Sequence, residues 1–411
     1  MKDFFIITNI TALFFYIIFI LKTKNIFSYL NLIVLGVNLH LSLYFFNWSD
    51  LIIEKRENSF YLIFICLNFL IVLFSFFSFK YKKIKFKKRY FFKNKRCIHF
   101  LNIFYIIALL LDVYMSSGTI FPLLKGIDIH TRSYSVITAL LITRNTIPVI
   151  LINIIFFMKN YKKIYLYYIF VLFFIPIILK GARHTVVQDI TILGLFCIIL
   201  YQKEFLKLIR KNFLIVLTLF VLISGMATYR SYKFYSKYNL KGNYAEWIAY
   251  KGPLKNSSFF TTYYGYYPLS FNNLNISIKD LKAKKIDFFG LNAFRGFHVF
   301  TNKLLNKEPY ENAKERKYVV GAATVPTGFY DFYYDYRNLT FIPLLVSFLL
   351  SHYLFKKIYY SSQKIKWAGV YSIFCAGWLD IGMLNSLYKD TILFSVVIFI
   401  IYLSIFIKEE R

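Results

Sequence analysis

The chain has 411 residues, of which 58% are hydrophobic and 21% aromatic, with a mean hydropathy of +0.51 and a net charge of +31. Only 17% of it is charged, against about a quarter in soluble domains, so an ordinary water-soluble globular protein is excluded. The basic residues gather in short tracts between apolar runs, which is the positive-inside pattern of a membrane protein and not a nucleic-acid-binding face.

Eleven apolar runs predict transmembrane helices at about 4–21, 29–47, 60–79, 98–115, 135–157, 164–179, 185–201, 213–229, 340–355, 367–384 and 391–407. Most approach the roughly 20 apolar residues that cross a hydrocarbon core of about 30 Å. The first has Lys2 as the one basic residue before it and no small-residue cleavage site after it, so it reads as a retained span and not a signal peptide. The tract "KYKKIKFKKRYFFKNKR" (80–96) holds ten Lys or Arg and no acid, which fixes it inside. Alternation then places 25 Lys and Arg in the inside tracts and eight in the short outside segments. The expected fold is all-α and polytopic: eight helices in 1–229, one large outside loop at 230–339, and three helices in 340–411.

In chain order, the first residues that could carry chemistry are Arg132 and Arg144. Arg144 lies inside the apolar run "VITALLITRNTIPVILIN" and must face protein or water, because a cation in lipid is expensive. "KGARHTVVQD" (180–189) places Lys180, Arg183 and His184 between two apolar runs at the outer membrane surface. Arg230 leaves the eighth span. An arginine fork grips phosphate oxygens bidentately and keeps its charge at any working pH. Several arginines at one depth therefore suit a diphosphate attached to a lipid, where snorkelling to headgroups is the bland alternative for any one of them.

The outside loop carries 17 Lys or Arg and is too long for a passive turn. Its second half, from "IKDLKAKKIDFF" onward, has patches of helical spacing that suggest amphipathic helices on the membrane surface. In "NAFRGFHVF" (292–300), Arg295 and His298 are three apart and share a helix face; His298 titrates near neutral pH and is a candidate base. "VVGAATVPTGFYDFYYDYRNLTF" (319–341) carries Asp331 and Asp335 among aromatic residues. A carboxylate there either activates an acceptor hydroxyl or pairs with an arginine. His40, His99 and His352 lie in or beside spans and draw no functional weight.

The four cysteines suggest neither a disulfide nor a zinc site. There is no HExxH, Walker loop, GxSxG or Rossmann glycine pattern, and no outside carboxylate cluster for magnesium or calcium. An enzyme of this composition is expected to work without metal, cofactor or ATP.

The "GAR" after the sixth span, the Tyr-Arg leaving the eighth, the long outside loop and the Thr-rich stretch ending in "FYDFYYDY" resemble the O-antigen polymerase (Wzy-type) group, also called oligosaccharide repeat unit polymerases. The resemblance covers roughly 100–400. It implies a GT-C-like membrane glycosyltransferase of the bacterial inner membrane, with its active site on the extracytoplasmic face. It further implies undecaprenyl-diphosphate-linked oligosaccharides as substrates, membrane lipids as surroundings, and a chain-length regulator and flippase as partners. Arg183 and Arg230 match arginines that hold the lipid diphosphate. Tyr264 falls in "YYGYYPLSFNNLN", similar to a Tyr-Gly stretch of the loop. Asp335 is similar to the aspartate of a Tyr-Tyr-x-Asp-Phe-Gly pattern, but Arg337 and Asn338 stand where glycine is usual, which leaves Asp331 and Asp335 as alternatives. An O-antigen ligase, with His298 as base, and a lipid-linked oligosaccharide flippase or transporter are the competing functions.

Overall fold

The computed structural model describes residues 1–53, 55–81, 90–94, 96–119, 146–160, 162–180, 183–211, 225, 244–281, 292–297, 327–382 and 387–409. They are mostly helical and form two compact units, one from 1–85, 242–360 and 374–390, the other from 86–241, 361–373 and 391–411. The units cut across the linear division into helices, loop and helices: the polar loop from 242 onward folds with the first 85 residues.

In the first unit, α1 (Lys2–Thr23), α2 (Tyr29–Phe45), α3 (Asn58–Ser78) and α12 (Phe341–Tyr360) form a helical bundle. Rings of α1 meet rings of α3 in order, Phe5 with Tyr61, Phe15 with Phe76 and Phe19 with Phe79, so the two run parallel. α12 also runs parallel to α3, with Asn338 beside Ser59 at one end and Tyr359 beside Tyr81 at the other. α2 runs the opposite way: Tyr29 meets Phe355, and Tyr44 meets Phe60. These relative directions are those expected from the charge pattern.

On α1, Ile7, Ile10, Phe14, Ile17 and Leu21 remain exposed at helical spacing, while Phe5, Ala12 and Phe19 are buried. An apolar stripe of that length facing outward needs a lipid solvent. Among the described residues four helices are long and apolar enough to cross a membrane: α1, α3, α12 and Cys97–Met115. Five shorter apolar helices fall at the expected second, fifth, sixth, seventh and eleventh spans. The eighth, 213–229, lies outside the described residues apart from 225.

The tenth expected span, 367–384, is not one helix. Helix α13 (Lys364–Cys375) stops, a short α14 (Gly377–Asp380) follows, and helical structure ends there. The reason is a tertiary crossing. Residues Val34–Asn38 of α2 form a π-helical turn and lie against α14. Gly36 lets the two backbones meet, since a Cβ there would stand 2.3 Å from the Trp378 carbonyl oxygen and 2.7 Å from the Leu379 Cα. Neither obstacle is the tip of a flexible side chain. Gly36→Ala is therefore expected to destabilise this unit by about 1–3 kcal/mol or more, and a lower unfolding temperature of the purified variant checks it.

The described loop helices, α8 (Tyr244–Trp247), α9 (Ser258–Tyr266), α10 (Pro268–Leu281) and α11 (Phe329–Tyr336), gather at the end of the bundle away from Lys22 and Tyr359. α10 is buried along nearly its whole length and does not lie flat on a surface. Its asparagines take the place of a strand partner. Asn272 accepts the Ile53 N–H at 3.1 Å and donates to the Leu51 carbonyl at 2.8 Å. Asn275 accepts the Glu57 N–H at 2.9 Å and donates to the Lys55 carbonyl at 3.3 Å. These bonds pair backbone groups of residues 51–57, a stretch that has no helix or strand partner among the described residues.

In the second unit, α4 (Cys97–Ser117) and α5 (Thr146–Asn160) are joined by reciprocal amide bonds between Asn102 and Asn153, 3.0 and 2.6 Å. Among the described residues, α6 (Lys163–Lys180), α7 (Arg183–Lys211), most of α13 and α15 (Asp390–Phe406) also belong to it, with a small antiparallel ladder, β1 (Tyr90–Phe92) on β2 (Ile407–Glu409). The four cysteines are free thiols.

Candidate functional site

Within the first unit, three segments distant in sequence converge: 292–297, α11 with Arg337, and 387–389. Asp335 is the joint. Fully buried, it accepts the Asn292 N–H at 2.7 Å and the Ala293 N–H at 2.7 Å on Oδ2, and the Asn292 side-chain amide at 2.8 Å on Oδ1. Burial pushes its carboxyl above the usual carboxylate range, and the three donors, with the Arg337 charge, offset only part of that rise. The other side of 292–297 rests on Tyr388. The Gly296 N–H donates to the Tyr388 carbonyl at 2.6 Å, and the Phe294 and Tyr388 rings meet at 4.8 Å. Tyr388 is in turn held by Ser347 of α12, 2.9 Å between hydroxyls.

This joint places several of the sequence-predicted residues in one corner. Arg295 is exposed on the anchored segment, Asp331 is half-buried on α11, and Arg337 is half-buried just beyond it. Asp335, read as either a base or a pairing partner, is engaged by backbone and amide donors in an anchoring position. Tyr264 is fully buried; its hydroxyl accepts the Trp48 N–H at 3.0 Å and its ring packs on Tyr250 and Trp48. That is a packing position inside the loop.

In the second unit, Lys180 is the last residue of α6 and Arg183 the first of α7, so the "KGAR" stretch is the connection between two apolar helices. Their side chains are outside the described set. Arg132, Arg144, Arg230 and His298 lie outside the described residues altogether.

A second polar centre escaped the sequence reading. Asp380, fully buried in α14, is close enough to Lys389 and to Tyr267 for their charges to interact. The His40 ring stacks on Tyr267 at 4.5 Å and tilts against Tyr263 at 5.4 Å, and its Nδ1 lies 2.8 Å from the Gly36 carbonyl. Burial raises Tyr263 to about 12 and Tyr267 further, so both hydroxyls stay protonated and able to donate at neutral pH. The signal was available: Asp380 is a lone acid inside the apolar run 367–384, and such residues are functional candidates by default. Among the described residues no three His, Cys, Asp or Glu side chains come together as a metal site.

Comparison with known proteins adds no relative: no family model, no curated protein and no solved structure matches this chain.

Proposed function

We propose that the chain is an oligosaccharide repeat unit polymerase of the bacterial cytoplasmic membrane, a GT-C-like glycosyltransferase with eleven spans and its site on the extracytoplasmic face. The observation that carries this reading is the Asp335 joint. It ties the "FYDFYYDY" helix to the "NAFR" segment and so brings two stretches of the loop, each bearing arginine, to one end of the membrane bundle.

The donor is the growing glycan on undecaprenyl diphosphate, and the acceptor is a hydroxyl of a newly arrived lipid-linked repeat unit. The acceptor oxygen bonds to the anomeric carbon, the carbon–oxygen bond to the lipid diphosphate breaks, and the hydroxyl proton leaves to a base. Arg183 and Arg230 would stabilise the charge that builds on the departing diphosphate, an electrostatic role often among the largest in catalysis. Lys180, Arg132, Arg144 and Arg295 are the further candidates to bind substrate anions. His298 and Asp331 are the candidates to take the proton.

A transporter of lipid-linked glycans is the second reading, favoured by one observation. Interrupted helices around a buried carboxylate, as at Val34–Asn38, α14 and Asp380, are a feature of transporter binding sites. Both readings share a topology test. Reporter fusions at Lys88 and Asn256 are expected to report opposite sides of the membrane, with Asn256 outside. Two fusions on one side would remove the outside active site.

A further inference from the structure

His40 stands about one turn before Tyr44, at the end of α2 where the loop helices gather. Its Nδ1 lies 2.8 Å from the Gly36 carbonyl. A carbonyl oxygen can only accept, so Nδ1 carries the proton and the neutral ring keeps its lone pair on Nε2. That carbonyl belongs to the π-helical turn Val34–Asn38, and such turns are frequent at functional sites. The result is a base of set tautomer, with no hydrogen bond to Nε2 among the described residues.

Further polar groups without partners collect beside it. The Tyr267 ring stacks on the imidazole at 4.5 Å, and the Tyr263 ring lies 5.4 Å from the imidazole and 5.2 Å from Tyr267. Both tyrosines are half-exposed, so the stack reaches the surface, and neither hydroxyl has a hydrogen-bond partner among the described residues. Across from them is the stretch 380–382. A Cβ on Gly382 would stand 3.5 Å from His40 Nδ1. The Ile381 carbonyl accepts the Gly328 N–H at 2.8 Å, which brings Thr327 to the same stretch. The Thr327 hydroxyl is fully buried and makes no hydrogen bond among the described residues. Asp380, also fully buried, is close enough to Tyr267 for its charge to act there. Buried polar groups are normally paired, so a buried free hydroxyl beside two exposed ones and a bare Nε2 calls for an occupant.

The chemistry names its class. Rings offer an apolar face and free hydroxyls a hydrogen-bonding edge, and a neutral polyhydroxyl ring fits both. A diphosphate does not suit a place beside a buried acid, and Arg183, assigned to the diphosphate, opens α7 in the other unit. We propose that this centre binds the acceptor sugar and that His40 Nε2, in place of His298 or Asp331, is the base. The proposal rests on the polymerase reading. The attacking hydroxyl gives its proton to Nε2 as its oxygen bonds to the anomeric carbon of the donor. The bond from that carbon to the diphosphate oxygen breaks, and the lipid diphosphate leaves with the electron pair.

The test uses the purified full-length protein in lipid vesicles, with lipid-linked repeat units extracted from cells lacking the gene. Joining of units is followed at rising concentration for the wild type, His40→Asn, Tyr263→Phe and Tyr267→Phe. Asparagine places an N–H where Nδ1–H stands, which keeps the bond to the Gly36 carbonyl, and has nothing at Nε2. His40→Asn is expected to lower kcat by about 10²–10⁴-fold, the usual contribution of a general base. Each tyrosine variant is expected to raise KM by about 2–10-fold, the size of one lost hydrogen bond. Wild-type kcat in His40→Asn would overturn the proposal and leave the polymerase reading standing. A raised KM at wild-type kcat would make His40 a packing neighbour of the site and overturn it too. Should His40→Asn fail to fold, the tyrosine variants decide: wild-type KM in both overturns the proposal. If the wild type itself joins no units, the polymerase reading fails, and the proposal with it.

Discussion

Asp335→Ala is expected to release the 292–297 segment and to abolish polymer formation. The substitution leaves the Asn292 and Ala293 N–H groups and the Asn292 amide facing a buried space with no acceptor. Each unsatisfied buried donor costs about 1–3 kcal/mol, so the total is comparable with the whole stability margin of many domains. Amide hydrogen exchange at Asn292 and Ala293 should rise sharply, and the amount of folded protein in the membrane should fall. Asp335→Asn keeps one oxygen acceptor and should lose less. If Asp335→Asn holds the segment in place yet polymer is lost, the carboxylate charge itself is used in the reaction. If Asp335→Ala leaves exchange at Ala293 unchanged, the joint does not exist.

Arg183→Lys is expected to shorten the polysaccharide towards single repeat units while protein levels stay normal. Lysine retains the charge and loses the fork. The loss of one donor to a developing anion typically costs about 3–4 kcal/mol, or roughly 10²–10³ in rate. Arg183 opens α7, directly after the α6–α7 connection. Ladders from wild type, Arg183→Lys and Arg183→Ala at matched protein levels measure the effect. Long chains from both variants would remove Arg183 from the mechanism and leave Arg230 and Arg144.

The long helices were legible because a bilayer demands a continuous apolar run. Asn58–Ser78 and Phe341–Tyr360 are such runs, and their ends fall within a few residues of expectation. The relative directions of α1, α2, α3 and α12 were legible in the distribution of Lys and Arg. The break after Cys375 was not, because its cause is remote: the close approach of Trp378 and Leu379 to Gly36, more than 300 residues earlier in the chain. The same holds for α10. "PLSFNNLN" is a polar stretch with no apolar run long enough to span, yet Asn272 and Asn275 are buried, bonded to the backbone of residues 51–57. Polarity in sequence does not distinguish a side chain bonded to water from one bonded to a neighbouring backbone. Asp335 was found by its place in a motif, but its partners come from 42–43 residues away. Asp380 is readable by the rule that singles out Arg144, a charge inside an apolar run.

The central claim is that the protein joins lipid-linked repeat units on the outer leaflet. The most direct measurement is the length and leaflet of undecaprenyl-diphosphate-linked glycans in cells with and without the gene. Without it, the account predicts single repeat units on the outer leaflet and no longer chains, with long chains restored by the wild-type protein. Single units confined to the inner leaflet would make the protein a transporter, and full-length chains still held on undecaprenyl diphosphate would make it a ligase; either result contradicts the account.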